Sequence, residues 1–356
     1  MAVLNEEQEM LRNMAQDWVS NESPVTEFRK VRANGEPEAF SRAAYAAMAE
    51  MGWAGVIIPE EHGGSDFGFM SAGLVVEELG KTLTASPLIM NTIAASAIIL
   101  GGSDDQKAKW LPQLASGSAI ATLAVDEGAK HNPAEIETSV SNGKLSGTKT
   151  FVHEAHGADL FVVAAKDGLY LAEKGSGVSL ATRKLADQRS YADVTFSGVA
   201  AEKLHGGGDN FLGDVLDRAR ILVAAEMLGM AQAVFDMTLA YLKQRVQFNQ
   251  VLATFQALQH RMADMFADLA QMRSAVEAGL QAIDAGFGVD RAAIIAKSEA
   301  NRVLHGISNQ GIQLHGGIGM TDEYDVGFYL KRARVLEASW GSSSYLDSRF
   351  ANLSGY

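Results

Sequence analysis

The sequence predicts an α+β chain, mainly α, in three consecutive parts: helices over residues 1–118, a small antiparallel β part over 119–208, and a four-helix bundle over 209–356. Three observations predict it. Apolar residues recur at helical spacing through the first third and again beyond residue 210. Between those stretches the period falls to two, in six short runs set apart by Gly, Asp and Asn turns. The last third carries long apolar-striped segments joined by short connectors, the pattern of a helix bundle. A chain of 356 residues is long enough for two or three such pieces with buried cores.

The first predicted helix is "LNEEQEMLRNMAQDWVSNE", which puts Leu4, Met10, Leu11, Met14 and Trp18 on one face. "AFSRAAYAAMAEMGW" follows, with Ser41 or the residues just before it as its start. "GWAGVIIPEEHGGSDF" reads as a short extended passage ending in a glycine turn. "SAGLVVEELGKT" is helical again. "SPLIMNTIAASAIILGG" is a core helix, because Asn91, Thr92 and Ser96 interrupt it and it is too short to span a bilayer. "SDDQKAKWLPQLASG" has Ser103 as N-cap and two aspartates in its first turn, where the helix dipole favours negative charge.

The β-type runs are "SAIATLAVDE", "GKLSGTKTFVHEA", "DLFVVAAK", "GLYLAEK", "VSLATRKL" and "SYADVTFSGVAA". Beyond them come a helix of roughly 30 residues from "LGDVLDRAR" to "KQRVQ", a second from "ATFQALQ" to "QAID", and a third from "DRAAIIAK" to "GIQLH". A short fourth ends in "RVLEASWGSSSY", as a helix closing on a glycine turn. The chain shows no internal repeat or long linker.

Charge and composition exclude several classes. Lys and Arg number 30 against 43 Asp and Glu, a net charge of −13, which argues against nucleic acid or an anionic membrane as partner. With no cysteine there is no disulfide, thiolate metal site or cysteine nucleophile, and a reducing cytoplasm is the expected location. The N-terminus is acidic and amphipathic, unlike a secretory signal. No metal site is expected.

Four strings, in order and on the expected elements, carry a family resemblance. They are "GWAGVIIPEEHGG", "LSGTKTFV" with "ADLFVVAA", "RVQFNQVLATFQALQHRMADM", and "IQLHGGIGMTDEYDVGFYLKRAR". With them the chain resembles the acyl-CoA dehydrogenase family over nearly its whole length. The resemblance implies FAD as cofactor, an acyl-CoA thioester as substrate and 2,3-desaturation as reaction. It also implies a dimer or tetramer, with itself or with a homologous subunit, and an electron-transferring flavoprotein as electron acceptor.

The residues suit that chemistry. Arg245 can supply a guanidinium to a pyrophosphate, and Gly316 and Gly317 let backbone approach closely. Gln256 and Gln313 offer amides to polar edges, and Phe248 an aromatic face. Read singly, Arg245 is equally a surface cation, Phe248 a core residue and the glycine pair a helix C-cap. In the family these residues reach a neighbouring subunit's flavin. On the chain's own side the resemblance implies Val125, Phe151, His153 and Ser342 near the flavin, and Asp217 and Arg220 near the substrate.

The likeness fails at the base. Removing a weakly acidic α-proton needs a carboxylate aimed at it in a dry site. The family places a glutamate either before the glycine of the last segment or on the long helix, and here those positions are Trp340 and Ala219. Neither side chain accepts a proton. Glu226, seven residues beyond Ala219, and His153 are weak substitutes; Glu337 is expected to point elsewhere. The family's own-flavin loop has become "VDEGAKHNP", its Trp-Ile-Thr is "FVH", and its last segment is "WGSSS". The half that reaches a neighbour is kept while the half serving the chain's own site has drifted. The expectation is a subunit whose glutamate comes from a partner, as in heteromeric bacterial enzymes acting on bulky acyl-CoAs. Elimination or desulfination by a base-less flavoprotein, and a purely structural role, are the alternatives.

Overall fold

The computed structural model describes residues 4–206 and 208–356. Helix α1 (Glu6–Glu22) begins at Asn5 with a reciprocal cap: the Asn5 side chain accepts from the Gln8 N–H, and the Gln8 side chain accepts from the Asn5 N–H. Helix α2 (Val25–Asn34) is absent from the sequence reading. It buries only Phe28, so it has no apolar stripe to announce it. Helix α3 (Arg42–Glu50) starts at Ser41, as expected.

Residues 52–67 are not extended. They form two 3₁₀ turns, because Gly52 and Gly63 adopt φ of 80° and 83° and fold the loop back on itself. The returning N–H groups of Ser65 and Asp66 donate to the Gly55 and Ile58 carbonyls. Close approach then dictates glycine at 64, where a Cβ would sit 2.0 Å from the Ile58 oxygen.

Helices α4 (Gly68–Lys81), α5 (Leu88–Gly101) and α6 (Asp104–Ala115) follow, the last capped by Ser103 and Gln106. Asn91, which marked α5 as a core helix, is buried and paired. Its amide donates to the Leu114 carbonyl and its oxygen accepts from the Ala121 N–H.

All six β-type runs form strands: β1 (Ala121–Ala124), β3 (Lys144–His153), β4 (Leu160–Ala165), β5 (Gly168–Glu173), β6 (Val178–Thr182) and β7 (Tyr191–Lys203). A three-residue edge strand, β2 (Ser139–Ser141), joins them. The sheet runs β1-β4-β5-β7-β3-β2, with β6 also on β7. Every pair is antiparallel except β1–β4. That parallel pair departs from the all-antiparallel expectation. Residues 125–159 lie between the two strands, long enough for a crossover that a local alternation pattern cannot reveal. The inward face is apolar, with Phe161 and Phe196 edge to face at 5.6 Å.

The chain forms two compact units. One comprises residues 27–72 and 85–219 and contains the sheet; the other comprises residues up to Thr26, 73–84 and 220–356. In the second, the long helices are α7 (Phe211–Gln244, entering at Arg220), α8 (Gln256–Ala285), α9 (Val289–His315) and α10 (Val326–Ala338). A further helix, α11 (Ser343–Leu353), stands where only a glycine turn was expected; its serine-rich start carries no apolar stripe. Helix α7 is long and apolar enough to cross a membrane, but 78% of its most apolar window is buried in the protein, as in a core helix.

Helices α4 and α7 touch backbone to backbone within this unit. A Cβ on Gly229 would lie 1.9 Å from the Glu77 oxygen, and one on Gly80 2.3 Å from the Glu226 oxygen. Glu77 also receives a two-pronged bond from Arg273 of α8, at 2.8 and 3.1 Å.

Candidate active site

Helix α7 ends in a two-residue-per-strand hairpin, β8 (Val246–Gln247) and β9 (Gln250–Val251). Phe248 and Asn249 form its tip at φ of 53° and 62°, the left-handed pair that a tight hairpin requires. Phe248 is 83% exposed, so it is not the core residue it could have been. Its ring packs against Phe255, edge to face at 6.3 Å. The Arg245 side chain is exposed and has no ion-pair partner among the described residues.

The glycine pair closes α9. Gly316 is its C-cap at φ 65°, and a Cβ on Gly316 or Gly317 would meet open space, so both backbones are approachable from outside. Gln313 and Gln256 are both exposed, Gln256 as the first residue of α8.

An aromatic cluster ties hairpin to glycine pair. Tyr241 packs against His315 at 4.5 Å and Tyr324 at 5.9 Å, and His315 lies 4.6 Å from Tyr324. The Arg245 N–H donates to the Tyr241 carbonyl at 2.9 Å, the closing helical bond of α7 before the hairpin. His315 is buried, its Nδ1 is 2.7 Å from the Gly311 carbonyl, and burial lowers its pKa so that the ring stays neutral. The sequence reading missed His315. Its place directly before the glycine pair was the available signal.

Position 340 lies in a built turn. Trp340 is buried and holds φ 52°, and its carbonyl accepts from Arg220 Nε at 2.8 Å. Arg220 is itself 1% exposed, with its guanidinium over the Tyr345 ring at 5.6 Å. Lys297 is fully buried beside it. Burial, then the Arg220 charge, lower its pKa to about 7 against the opposing pull of Glu337. Ser342 is exposed, stands at the start of α11 without a side-chain cap bond, and its hydroxyl lies 3.1 Å from that of Ser344.

The nearby carboxylates are occupied. Glu226 is held two-pronged by Arg332, at 2.9 and 3.0 Å, with both side chains buried. Glu337 is held by Arg334 and lies 3.2 Å from His305 Nδ1. Ala219 is buried, as is Asp217.

In the sheet unit, Phe151 sits in a bulge between Lys149 and Val152 at φ 52°, with Arg183 over its ring at 5.5 Å. His153 is buried edge to face with Tyr191 at 4.8 Å. Val125 is buried and its carbonyl accepts from Lys149 Nζ at 2.8 Å.

The drifted loop is fastened by its own acids. Asp126 holds His131 at 2.9 Å. Glu127 accepts from Lys149, from the Thr138 hydroxyl and from the N–H groups of Glu137 and Thr138. Burial alone would raise the Glu127 pKa, but these bonds outweigh it and bring it to about 2. A carboxylate depressed in the fold contributes stability that is complete above its unfolded value, 4.5, and is lost as pH falls toward 2. The stability gap between the wild type and Glu127→Gln is therefore expected to be constant above pH 5 and to shrink through this window. Urea titrations at stepped pH measure it, and a gap that does not change with pH refutes the assignment.

A flavin adenine dinucleotide presents a pyrophosphate, flat rings and polar edges. An unpaired guanidinium, an uncovered aromatic ring, exposed amides and two glycines with open backbone fit such a group. Residues 5–118 match the N-terminal domain of acyl-CoA dehydrogenases and residues 206–351 their C-terminal domain. A probable acyl-CoA dehydrogenase of Bacillus subtilis (YngJ) is 31% identical, with 96% of each chain covered. A solved steroid ACAD, Tcur3481-Tcur3483, superposes with a TM-score of 0.92 at 28% identity, covering 98% of this chain and 97% of that one. The ChsE4-ChsE5 complex of Mycobacterium tuberculosis has a TM-score of 0.91 at 23% identity over 100% of each chain, a likeness of fold.

Proposed function

Because the chain belongs to the acyl-CoA dehydrogenase family, oxidoreductases that act on acyl-CoA, we propose that it is an FAD-dependent, cytoplasmic subunit of a 2,3-desaturating enzyme whose catalytic glutamate stands on a homologous partner. One observation carries this reading. Both customary base positions hold side chains without a basic atom, and the acids that could replace them are paired: Glu226 with Arg332, Glu337 with Arg334. A carboxylate locked in a buried two-pronged ion pair is not available to take an α-proton.

Bound FAD supplies a hydride acceptor for the substrate β-carbon. This chain's contribution is grip. Arg245 neutralises pyrophosphate charge, Phe248 covers a flat ring, and Gln256, Gln313 and the Gly316–Gly317 backbone satisfy polar edges. On the chain's own side, the family likeness offers Val125, Phe151 and His153 of the sheet unit, and Ser342 of the helical unit, to a flavin, and Asp217 and Arg220 to the substrate. The steroid ACAD relative supports a bulky, ring-bearing acyl group, and its paired name supports a heteromer. Electrons then pass to an electron-transferring flavoprotein. Elimination, desulfination and a purely structural role have no observation of their own in their favour.

Purified alone, the chain is expected to dehydrogenate no member of an acyl-CoA panel. Co-expressed with a homologue bearing a glutamate at either customary position, it is expected to yield a yellow, active complex. Vigorous turnover by the lone chain overturns the proposal.

A further inference from the structure

The turn that carries residue 340 is held from three directions by side chains of other helices. Helix α10 ends at Ala338, leaving carbonyls that need donors. Lys297 Nζ donates to the Leu336 carbonyl at 2.9 Å and to the Asn301 side-chain oxygen at 2.6 Å. Asn301, one helical turn further along α9, donates to the Gly341 carbonyl at 3.3 Å. Arg220, from α7, donates to the Trp340 carbonyl between them. All three side chains are buried, at 0%, 3% and 1% exposure.

This arrangement answers a conformational question. A bulky L-residue at φ 52° costs of order 1–3 kcal/mol and persists only where its surroundings over-determine it. Here the determinants include bonds to the carbonyls of 336, 340 and 341, donated by side chains of α7 and α9. The geometry points to Lys297 and Asn301 as positioning residues that, with Arg220, form a mount fixing the backbone of position 340. The mount is complete in this chain although the residue it presents is a tryptophan. This deepens the proposed function and rests on it for its chemical meaning: the frame for a base is kept where the base is not.

The test uses the full chain and reads no turnover, so its failure is distinguishable from failure of the partner-base reading. Lys297→Met keeps the stem's volume and removes a cation that the fold must desolvate, so the unit is expected to remain folded. Hydrogen exchange is followed by mass spectrometry in the segment 337–346 and, as a control, in α8. Lys297→Met and Asn301→Ala are each expected to speed exchange in 337–346 at least about tenfold, with α8 unchanged. Trp340→Phe is expected to leave the segment at the wild-type rate.

The emission of Trp340, obtained as the difference between each protein and its Trp340→Phe counterpart, is expected to shift red in Asn301→Ala as the indole meets water. Fold stability alone does not move that signal. Wild-type exchange in both mount variants, or loosening by Trp340→Phe equal to theirs, overturns the inference. If Lys297→Met does not fold, Asn301→Ala decides alone.

Discussion

Glu226→Ala is expected to destabilise the helical unit by about 3–5 kcal/mol, because it leaves the Arg332 guanidinium buried without its counter-charge. The two side chains are 5% and 8% exposed and meet through both carboxylate oxygens. The site has no slack to absorb the loss. Glu226 sits where the α7 backbone presses on Gly80 of α4, and Arg332 reaches it from α10, so the pair ties α7 to α10 at the point where α4 crosses. Replacing both partners by apolar residues of similar length, Glu226→Leu with Arg332→Met, is expected to restore most of the stability, since neither charge is then stranded.

Urea midpoints of the single and double variants measure this, and catalysed exchange of the substrate α-proton in the co-purified complex separates it from a catalytic role. Were Glu226 the base, its removal would cut that exchange by about 10²–10⁴-fold and the double variant would not recover it. Recovery of exchange together with stability in the double variant is the expected result.

The elements readable from sequence were those with a period. Helix α7 announces itself through an unbroken apolar stripe, and six strands through alternation, because burial of one face dictates residue choice there. Helix α2, strand β2 and helix α11 bury one residue or none, so tertiary position rather than pattern makes them. The parallel β1–β4 pair was invisible for another reason: strand direction follows from the path of residues 125–159, which no local window contains.

The candidate site divides in the same way. The glycine pair was legible because a helix C-cap favours glycine, whereas the hairpin was not, since Val246 and Gln247 read as the end of α7. Glu226 read as a weak substitute for the base, because Arg332, which occupies it, lies 106 residues away. Lys297 and Asn301 looked like ordinary polar positions of an amphipathic helix; only the fold brings the Leu336 and Gly341 carbonyls to them.

Arg245→Ala is expected to strip FAD from the co-purified complex while leaving the chain's own fold intact. Arg245 and Phe248 stand outside the core, the former exposed and unpaired among the described residues, the latter 83% exposed with an edge contact to Phe255, so removing either withdraws little packing from the helical unit. A charge-assisted bond to a phosphate oxygen contributes about 1.5–3 kcal/mol, which on loss weakens retention by roughly 10- to 150-fold. Phe248→Ala removes an aromatic stack of about 1–3 kcal/mol, and the two together are expected to leave a colourless complex.

The urea midpoint of each variant is expected to match the wild type, and flavin absorbance per complex is the quantity to compare. Full retention of FAD in the double variant would mean that the hairpin grips nothing, and the assignment of this chain as a holder of a neighbour's flavin would fall with it. Loss of FAD with an unchanged fold places the grip on two exposed side chains of a hairpin that follows directly on α7.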